Sequence, residues 1–401
     1  MQEGEGAALL FPLLRAHKGG GVRRLIVYFS AFLVVNIALM ANTFSLSFYQ
    51  NMTDNVFQNR YSERDQLSSL NFYLDKDFSK VSLFTEGNFA YLYDNPSLSY
   101  YVHDAGLDYL HAVNEKTAFY FSVIGQGAFY RSDYTDFNYL SLHFLGAFKT
   151  YLSQTSILKS NYAFEYKGFS YSLFDFISHS LDVSFDTYFQ TRPTIKTELS
   201  WGYKYYLHPD SSQEAVIEEG QGFRGGRDSY IYIPRTIYEG KAIQIFSVNG
   251  LIAQGLGSKI GLSLSGMKQW TLSGENPFTS VEEFYVVENP SYDRFSWEGY
   301  QLSSLFTILV PWNIELKLGY TRSEKEFPGI ESMDLEGDPL GVTRQDRRDV
   351  FEVRVEKDFP SFSVFLSYFY VNNRSNDPFF DWQGNFFSAG LEWNVFFGGK
   401  K

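Results

Sequence analysis

Residues 195–205 read Ile-Lys-Thr-Glu-Leu-Ser-Trp-Gly-Tyr-Lys-Tyr, and this stretch decides the fold class. Its odd positions carry aliphatic, aromatic or threonine side chains, whereas its even positions carry lysine, glutamate, serine or glycine. Successive side chains of a strand point to opposite faces, so the stretch predicts a strand with one apolar and one polar face. The same period of two recurs at 181–190, 314–321 and 351–356.

This alternation runs from about residue 44 to residue 397 and predicts sixteen strands. They are placed at 44–57, 66–75, 80–92, 98–111, 117–131, 137–152, 156–171, 176–191, 194–208, 240–254, 258–272, 298–310, 313–323, 348–358, 361–373 and 384–397. Tight turns alternate along the chain with connections that are often longer. The longer ones are 58–65, 93–97, 132–136, 172–175, 209–239, 273–297, 324–347 and 374–383.

Two architectures use such strands. A soluble sandwich or β-helix buries the apolar face, whereas an outer-membrane barrel turns it towards lipid and keeps the polar face around a lumen. Short turns on one rim with longer loops on the other are typical of the barrel, and a sandwich rarely has such long strands throughout. The sequence therefore predicts an all-β fold, a transmembrane antiparallel up-and-down barrel of about 16 strands (14–18), with short periplasmic turns and longer extracellular loops.

The composition agrees with a barrel. The 401 residues include 40 Phe, 30 Tyr and 6 Trp, yet 20% are charged and the mean hydropathy is only −0.23. Many aromatic residues fall near predicted strand ends, where membrane barrels carry aromatic girdles. The chain has no cysteine, which excludes disulfide scaffolds, cysteine-ligated metals and thiol catalysis.

The N-terminus predicts an export signal. Arg23 and Arg24 precede an apolar stretch at 25–41 that ends in alanine, which is the order of regions in a secretory signal peptide. The alternative is a membrane anchor, for which such a stretch is at the short limit. We expect residues 1–41 to be a leader, with its apolar region at 25–41, and residues 42–401 to form a single barrel domain. The net charge of −12 argues against a nucleic-acid partner.

Charged side chains on the polar faces are the candidate lumen lining. Both signs occur among them, and acidic residues modestly outnumber basic ones. The predicted set is Glu86, Lys159, Glu165, Lys167, Asp182, Asp186, Lys196, Glu198, Lys204, Glu315, Lys317, Glu352, Arg354, Glu356 and Glu392.

Three long connections, 209–239, 273–297 and 324–347, are candidates to fold inward and narrow a pore. Basic residues in the first would oppose acidic residues in the second. The candidate constriction residues are Arg224, Arg227, Arg235, Glu282 and Glu283. The alternative is that these connections are surface loops that contact lipopolysaccharide or neighbouring proteins.

The last predicted strand ends in Trp393-Asn-Val-Phe-Phe397, which resembles the C-terminal assembly signal of bacterial outer-membrane barrels, here followed by four further residues. Arg347-Arg-Asp349, Tyr370 to Asp377, and Phe380-Asp-Trp382 resemble the final hairpins of porin-like proteins. The barrel domains of surface lipoprotein assembly modifiers and exopolysaccharide exporters are similar there. The opening strand, Tyr49 to Phe57, is also similar to theirs. This resemblance covers about a quarter of the chain and implies the bacterial outer membrane as location, with the barrel-assembly machinery and outer-membrane lipid, including lipopolysaccharide, as partners.

No motif predicts chemistry. The six histidines, at 17, 103, 111, 143, 179 and 208, form no metal-binding pair, and no Gly-x-Ser-x-Gly occurs. We therefore expect no enzyme, cofactor or metal. The leading prediction is a channel for passive diffusion of small hydrophilic solutes or ions, with a weak cation preference and a homo-oligomer as one option. The alternative is a structural or interaction barrel, the outer-membrane component of an export or surface-assembly complex.

Overall fold

Sixteen antiparallel strands close into a barrel in the computed structural model, which describes residues 43–208, 233–234, 242–275, 278–279, 293–335 and 338–396. The barrel strands are β1 Thr43–Thr53, β2 Asp65–Phe78, β3 Val81–Leu92, β4 Tyr100–Asn114, β5 Thr117–Tyr130, β6 Tyr139–Tyr151, β7 Ser156–Phe169, β8 Phe176–Tyr188, β9 Thr194–Tyr206, β10 Ala242–Leu256, β11 Ile260–Ser273, β12 Glu298–Val310, β13 Ile314–Met333, β14 Pro339–Asp358, β15 Phe362–Ser375 and β16 Trp382–Phe396.

Each strand pairs with its neighbour in chain order, and β1 pairs with β16 to close the ring, with Leu46 opposite Trp393. The predicted architecture and the strand number are confirmed. One rim carries the short turns and the other the longer connections, which we call the loop rim. Four short 3₁₀ helices lie in connections, at Pro96–Leu98, Ser132–Phe137, Ser172–Phe174 and Pro311–Asn313. Ile233–Pro234 and Phe278–Thr279 form a separate two-stranded pair. The predicted leader lies outside the described residues.

The prediction of a long connection at 324–347 is wrong. Strands β13 and β14 are each 20 residues long and stay paired beyond the barrel wall, with Glu324 opposite Arg347 and Glu331 opposite Thr343. Only residues 334–338 join them. In this extension the outward positions are as polar as the inward ones, so the apolar alternation that marks a lipid-facing strand is lost although the backbone pairing continues.

Large apolar side chains cover the outside of the barrel. Leu199 is 46% exposed, Leu264 52% and Leu302 55%, and each lies on the outer face of its strand. Burying such side chains contributes about 1.5–3 kcal/mol each, so a continuous belt of them is stable in lipid rather than in water. No helix among the described residues is long and apolar enough to cross a membrane.

The largest buried apolar cluster lies inside the barrel at the loop rim. Connections 54–64, 93–99, 131–138 and 170–175, with segment 293–297, turn inward and pack on inward-facing residues at the strand ends. Its fully buried members include Phe57, Leu98, Phe174, Tyr206 and Ile245. The chain therefore builds its core from loops within the mouth of the barrel, whereas the strands themselves turn their apolar faces outward.

Candidate functional site

The strand register places all the predicted lumen-lining residues on the inner face of the wall. In β9, Lys196, Glu198 and Lys204 share a face, and the intervening Leu199 lies on the outer face with Val248 opposite it. On the inner face, Glu86 of β3 lies opposite Asp104 of β4. That these residues line a path for solutes stays a prediction.

The predicted constriction residues Arg224, Arg227, Arg235, Glu282 and Glu283 lie outside the described residues, as does Phe397 of the predicted assembly signal. Trp393 of that signal is 44% exposed on the outer face of β16.

Ion pairs neutralise the inner face of β7 to β9. Lys159 Nζ of β7 lies 2.5 Å from Asp186 Oδ2 of the neighbouring strand β8. Lys196 Nζ lies 2.9 Å from Glu198 Oε2 within β9. Lys167 Nζ similarly lies 3.1 Å from Glu165 Oε1. Residues two apart on a strand share a face, so the alternation itself brings these opposite charges together.

A second paired sector covers β13 and β14. Lys317 Nζ lies 3.4 Å from both Glu315 Oε1 and Glu356 Oε2, and Arg354 Nε lies 3.1 Å from Glu356 Oε2. Glu352 faces Gly319 across the strands. This sector therefore carries a network of both signs in which Lys317 and Arg354 each contact at least one carboxylate.

The wall from β16 through β1 to β5 is different, because its described inner face carries carboxylates and no lysine, arginine or histidine. The inward carboxylates of this acidic sector are Asp65, Asp75, Asp77, Glu86, Asp104, Asp108 and Glu392. Glu86 and Asp104 lie directly opposite each other and, within the described part of the chain, form no ion pair. Like charges in this arrangement repel each other and attract a mobile cation.

Sequence reasoning found only Glu86 and Glu392 of this sector. Asp104 and Asp108 were missed because apolar Val102 and Leu110 share their inward face in β4, which blurs the alternation. A usable signal was the spacing of the two aspartates, four residues apart in one strand and hence on one face. Asp108 accepts hydrogen bonds from the Tyr120 hydroxyl and the Ser122 hydroxyl, both at 2.7 Å.

Segment 293–297 lies against the inner wall near the loop rim. Asp293 contacts the ammonium of Lys204, whose side chain is 1% exposed and sits 4.0 Å over the Phe176 ring. Gln269 Nε2 donates hydrogen bonds to the carbonyl oxygens of Arg294 and Trp297, at 2.8 and 2.6 Å. The segment therefore narrows the interior from the side of β9 to β11.

Gly202 makes this placement of the segment feasible. A Cβ atom at position 202 would lie 2.7 Å from Arg294 Nη2 and 3.0 Å from Phe295 Cε1. A larger residue there would require the side chains of Arg294 and Phe295 to shift.

A buried ion pair holds the connection between β15 and β16. Arg344 Nη2 lies 2.5 Å from Asp346 Oδ2, and its guanidinium lies 3.3 Å from the centre of the Phe380 ring. Asp377, in the connection, accepts hydrogen bonds from the backbone amides of Met333 and Phe379 at 3.1 and 3.0 Å. Burial raises the pKa of the Asp377 carboxyl. These contacts stabilise the connection between β15 and β16. The sequence pattern did not predict them.

One pair of side chains approaches a catalytic geometry. Ser141 Oγ lies 2.9 Å from His143 Nε2, but the nearest carboxylate, Glu165, lies 3.8 Å from that same nitrogen. A catalytic triad places its carboxylate on the other ring nitrogen, where it orients the base, so this arrangement does not reproduce one. Among the described residues no group of three or more acidic or histidine side chains could hold a metal ion.

No family model matches this sequence, and no curated protein sequence matches it. Solved structures do match its fold. The structure of OccAB3 from Acinetobacter baumannii is 9% identical in sequence, with 88% of this chain and 98% of that chain covered and a TM-score of 0.50. This chain has the fold of a porin-like outer-membrane barrel. Two further barrels are similar at lower scores: OccAB1 from A. baumannii (10% identity, 89% and 97% covered, TM-score 0.47) and OprD from Pseudomonas aeruginosa (8%, 89% and 96%, 0.45).

The outward apolar belt of this porin-like barrel places it in the outer membrane, as predicted. At such low identity the likeness concerns the fold.

Proposed function

We propose that this barrel is a channel for passive diffusion of small hydrophilic solutes or ions, with a weak preference for cations. Barrels of 16–18 strands enclose an interior too wide for wall side chains to fill, and porins of this size leave an aqueous channel. Between the rim of short turns and the apolar cluster at the loop rim, the inner face of this barrel carries many polar and charged side chains. Such a surface suits water and hydrated solutes rather than lipid or a packed apolar core.

The acidic sector carries the cation preference. Its carboxylates form no ion pair among the described residues, whereas lysine–carboxylate pairs occupy the inner face of β7 to β9 and of β13 and β14. This difference leaves a net negative field on the side of the acidic sector. Rings or patches of acidic side chains select cations in this way because they lower the energy of a cation and raise that of an anion. Glu86 and Asp104, which oppose each other and form no ion pair among the described residues, contribute most directly.

Replacing both Glu86→Gln and Asp104→Asn is expected to reduce the cation-to-anion permeability ratio by roughly two- to fivefold. The reversal potential of the reconstituted protein in a salt gradient measures this ratio. The matched control is Lys196→Met with Glu198→Gln, which removes two charges of opposite sign and should leave the ratio unchanged. An unchanged ratio in the Glu86/Asp104 variant would contradict the assignment of selectivity to the acidic sector.

A further inference from the structure

A concavity of about 250 Å³ opens in the inner wall between β9 and β12. It forms because Ser265 of β11 and Ser303 of β12 lie directly opposite each other, while the next inward pair towards the loop rim is the larger Met267 and Gln301. Two small side chains thus leave space where neighbouring rows fill it. We call this concavity the wall niche.

The wall niche carries no net charge. The described inner face of β10, β11 and β12 bears no charged side chain. At its edge on β9, Lys196 and Glu198 neutralise each other at 2.9 Å, and Asn249 Nδ2 donates a hydrogen bond to Glu198 at 3.2 Å. In a barrel of sixteen strands, strands eight apart lie across the lumen, so the wall niche faces the acidic sector and differs from it in chemistry.

Several hydrogen-bonding groups of the wall niche are available to a ligand. The side-chain amide of Gln301 and the Ser265 hydroxyl have no hydrogen-bond partner among the described residues, although both line the space. The Ser303 hydroxyl accepts a hydrogen bond from Thr321 Oγ1 at 2.9 Å and keeps its own hydrogen to donate. An amide adds two donors and an acceptor, so the set offers both kinds of group within a small volume.

On β11, the side of the wall niche towards the loop rim is apolar. Met267 packs against the buried cluster of Trp297, Phe327 and Ile330, and Trp297 ends the inward segment described above. The volume lies just below the range of about 300–1,000 Å³ of pockets that hold drug-sized ligands. Neutral amides and hydroxyls beside an apolar surface, in a space of this size, match a small molecule that has many hydroxyl groups and a carbon framework.

We propose that the wall niche binds neutral polyhydroxylated solutes of monosaccharide size during passage, an inference that rests on the proposed channel function. Charged solutes gain nothing there, since no net charge is offered. A zwitterion would have to displace the Lys196–Glu198 pair before its two charges found partners. The wall niche would therefore favour uncharged solutes, whereas the acidic sector on the opposite wall attracts cations.

Binding of glucose to the purified full-length protein in lipid nanodiscs, followed by saturation-transfer NMR, tests this proposal without requiring ion current. Replacing Asn249→Leu together with Gln301→Leu is expected to weaken glucose binding about tenfold, since two hydrogen bonds of neutral groups are lost. The control is Thr307→Val, on the same face of β12 but outside the wall niche, which should bind as the native protein does. A second variant, Ser265→Leu, fills the space but keeps both amides, and should weaken binding to a similar extent.

Absence of glucose binding, binding unaffected by both niche variants, or glycine binding as tightly as glucose would overturn the proposal. Glucose binding that both niche variants weaken would support it. The experiments distinguish failure of the binding site from failure of the channel function. Ion current without glucose binding would overturn the wall niche alone, whereas niche-dependent glucose binding without ion current would uphold the site and contradict the channel.

Discussion

Arginine in place of Leu199 is expected to destabilise the folded barrel by about 2–4 kcal/mol, the cost of a charge on the lipid face near the bilayer midplane. Leu199 is 46% exposed and lies in the middle of β9, flanked on the outer face by Thr197 and Trp201. An arginine there would lose its hydration without gaining a partner. Urea titration of the protein folded into lipid vesicles, with the folded fraction read from the heat-modifiable gel shift, measures the change in the free energy of unfolding.

The control is the adjacent residue. Glu198→Arg places the same side chain on the inner face, where water can solvate it, and we expect a change of less than about 1 kcal/mol there. Val353→Arg and Glu352→Arg form a second matched pair on β14, since they too lie on opposite faces. Equal destabilisation within either pair would contradict the assigned faces.

Replacement of Asp293→Asn is expected to release segment 293–297 from the inner wall. Lys204 is 1% exposed, and the carboxylate of Asp293 is its ionic partner. Breaking a buried pair by removing one member costs about 3–5 kcal/mol, because the other charge stays buried. Asp293 is itself 30% exposed and the Phe176 and Tyr206 rings still contact the ammonium, so we expect the lower end of that range.

Two measurements detect the release of segment 293–297 from the inner wall. Trypsin should cut after Arg294 at least about tenfold faster in the variant than in the native protein. The mean single-channel conductance should rise because the segment no longer narrows the interior. A double variant, Lys204→Met with Asp293→Leu, removes the buried charge and should restore slow cleavage. Unchanged cleavage in Asp293→Asn would show that the pair does not hold the segment.

The barrel could be predicted from the sequence because one physical rule covers every lipid-facing strand. Where the outer face meets lipid, as at Leu199 and Leu264, apolar residues must recur at every second position, and the period of two is then visible without any structure. The same rule assigned the inner face, since a residue next to a lipid-facing leucine in a strand can point only the other way.

The extension of β13 and β14 and the inward turn of the connections could not be predicted, because that rule applies only within the bilayer. Beyond it, β13 and β14 continue with polar residues on both faces, as at Glu324 on the outer face and Lys325 on the inner face, so the pattern stops while the strands do not. The inward turn of the connections was equally hidden. Phe57 and Phe174 are apolar residues in connections, and a sequence cannot tell such a residue inside the mouth from an aromatic at the membrane boundary.

The ion current of the purified full-length protein in a planar bilayer tests the central claim most directly. We expect discrete conductance steps and, in a salt gradient, a reversal potential of the sign that cations produce, because the carboxylates of the acidic sector, which form no ion pair among the described residues, face the lumen. Absence of current above background would contradict the channel and favour a structural barrel closed by its own loops. Current with anion selectivity would contradict the role given to Glu86 and Asp104.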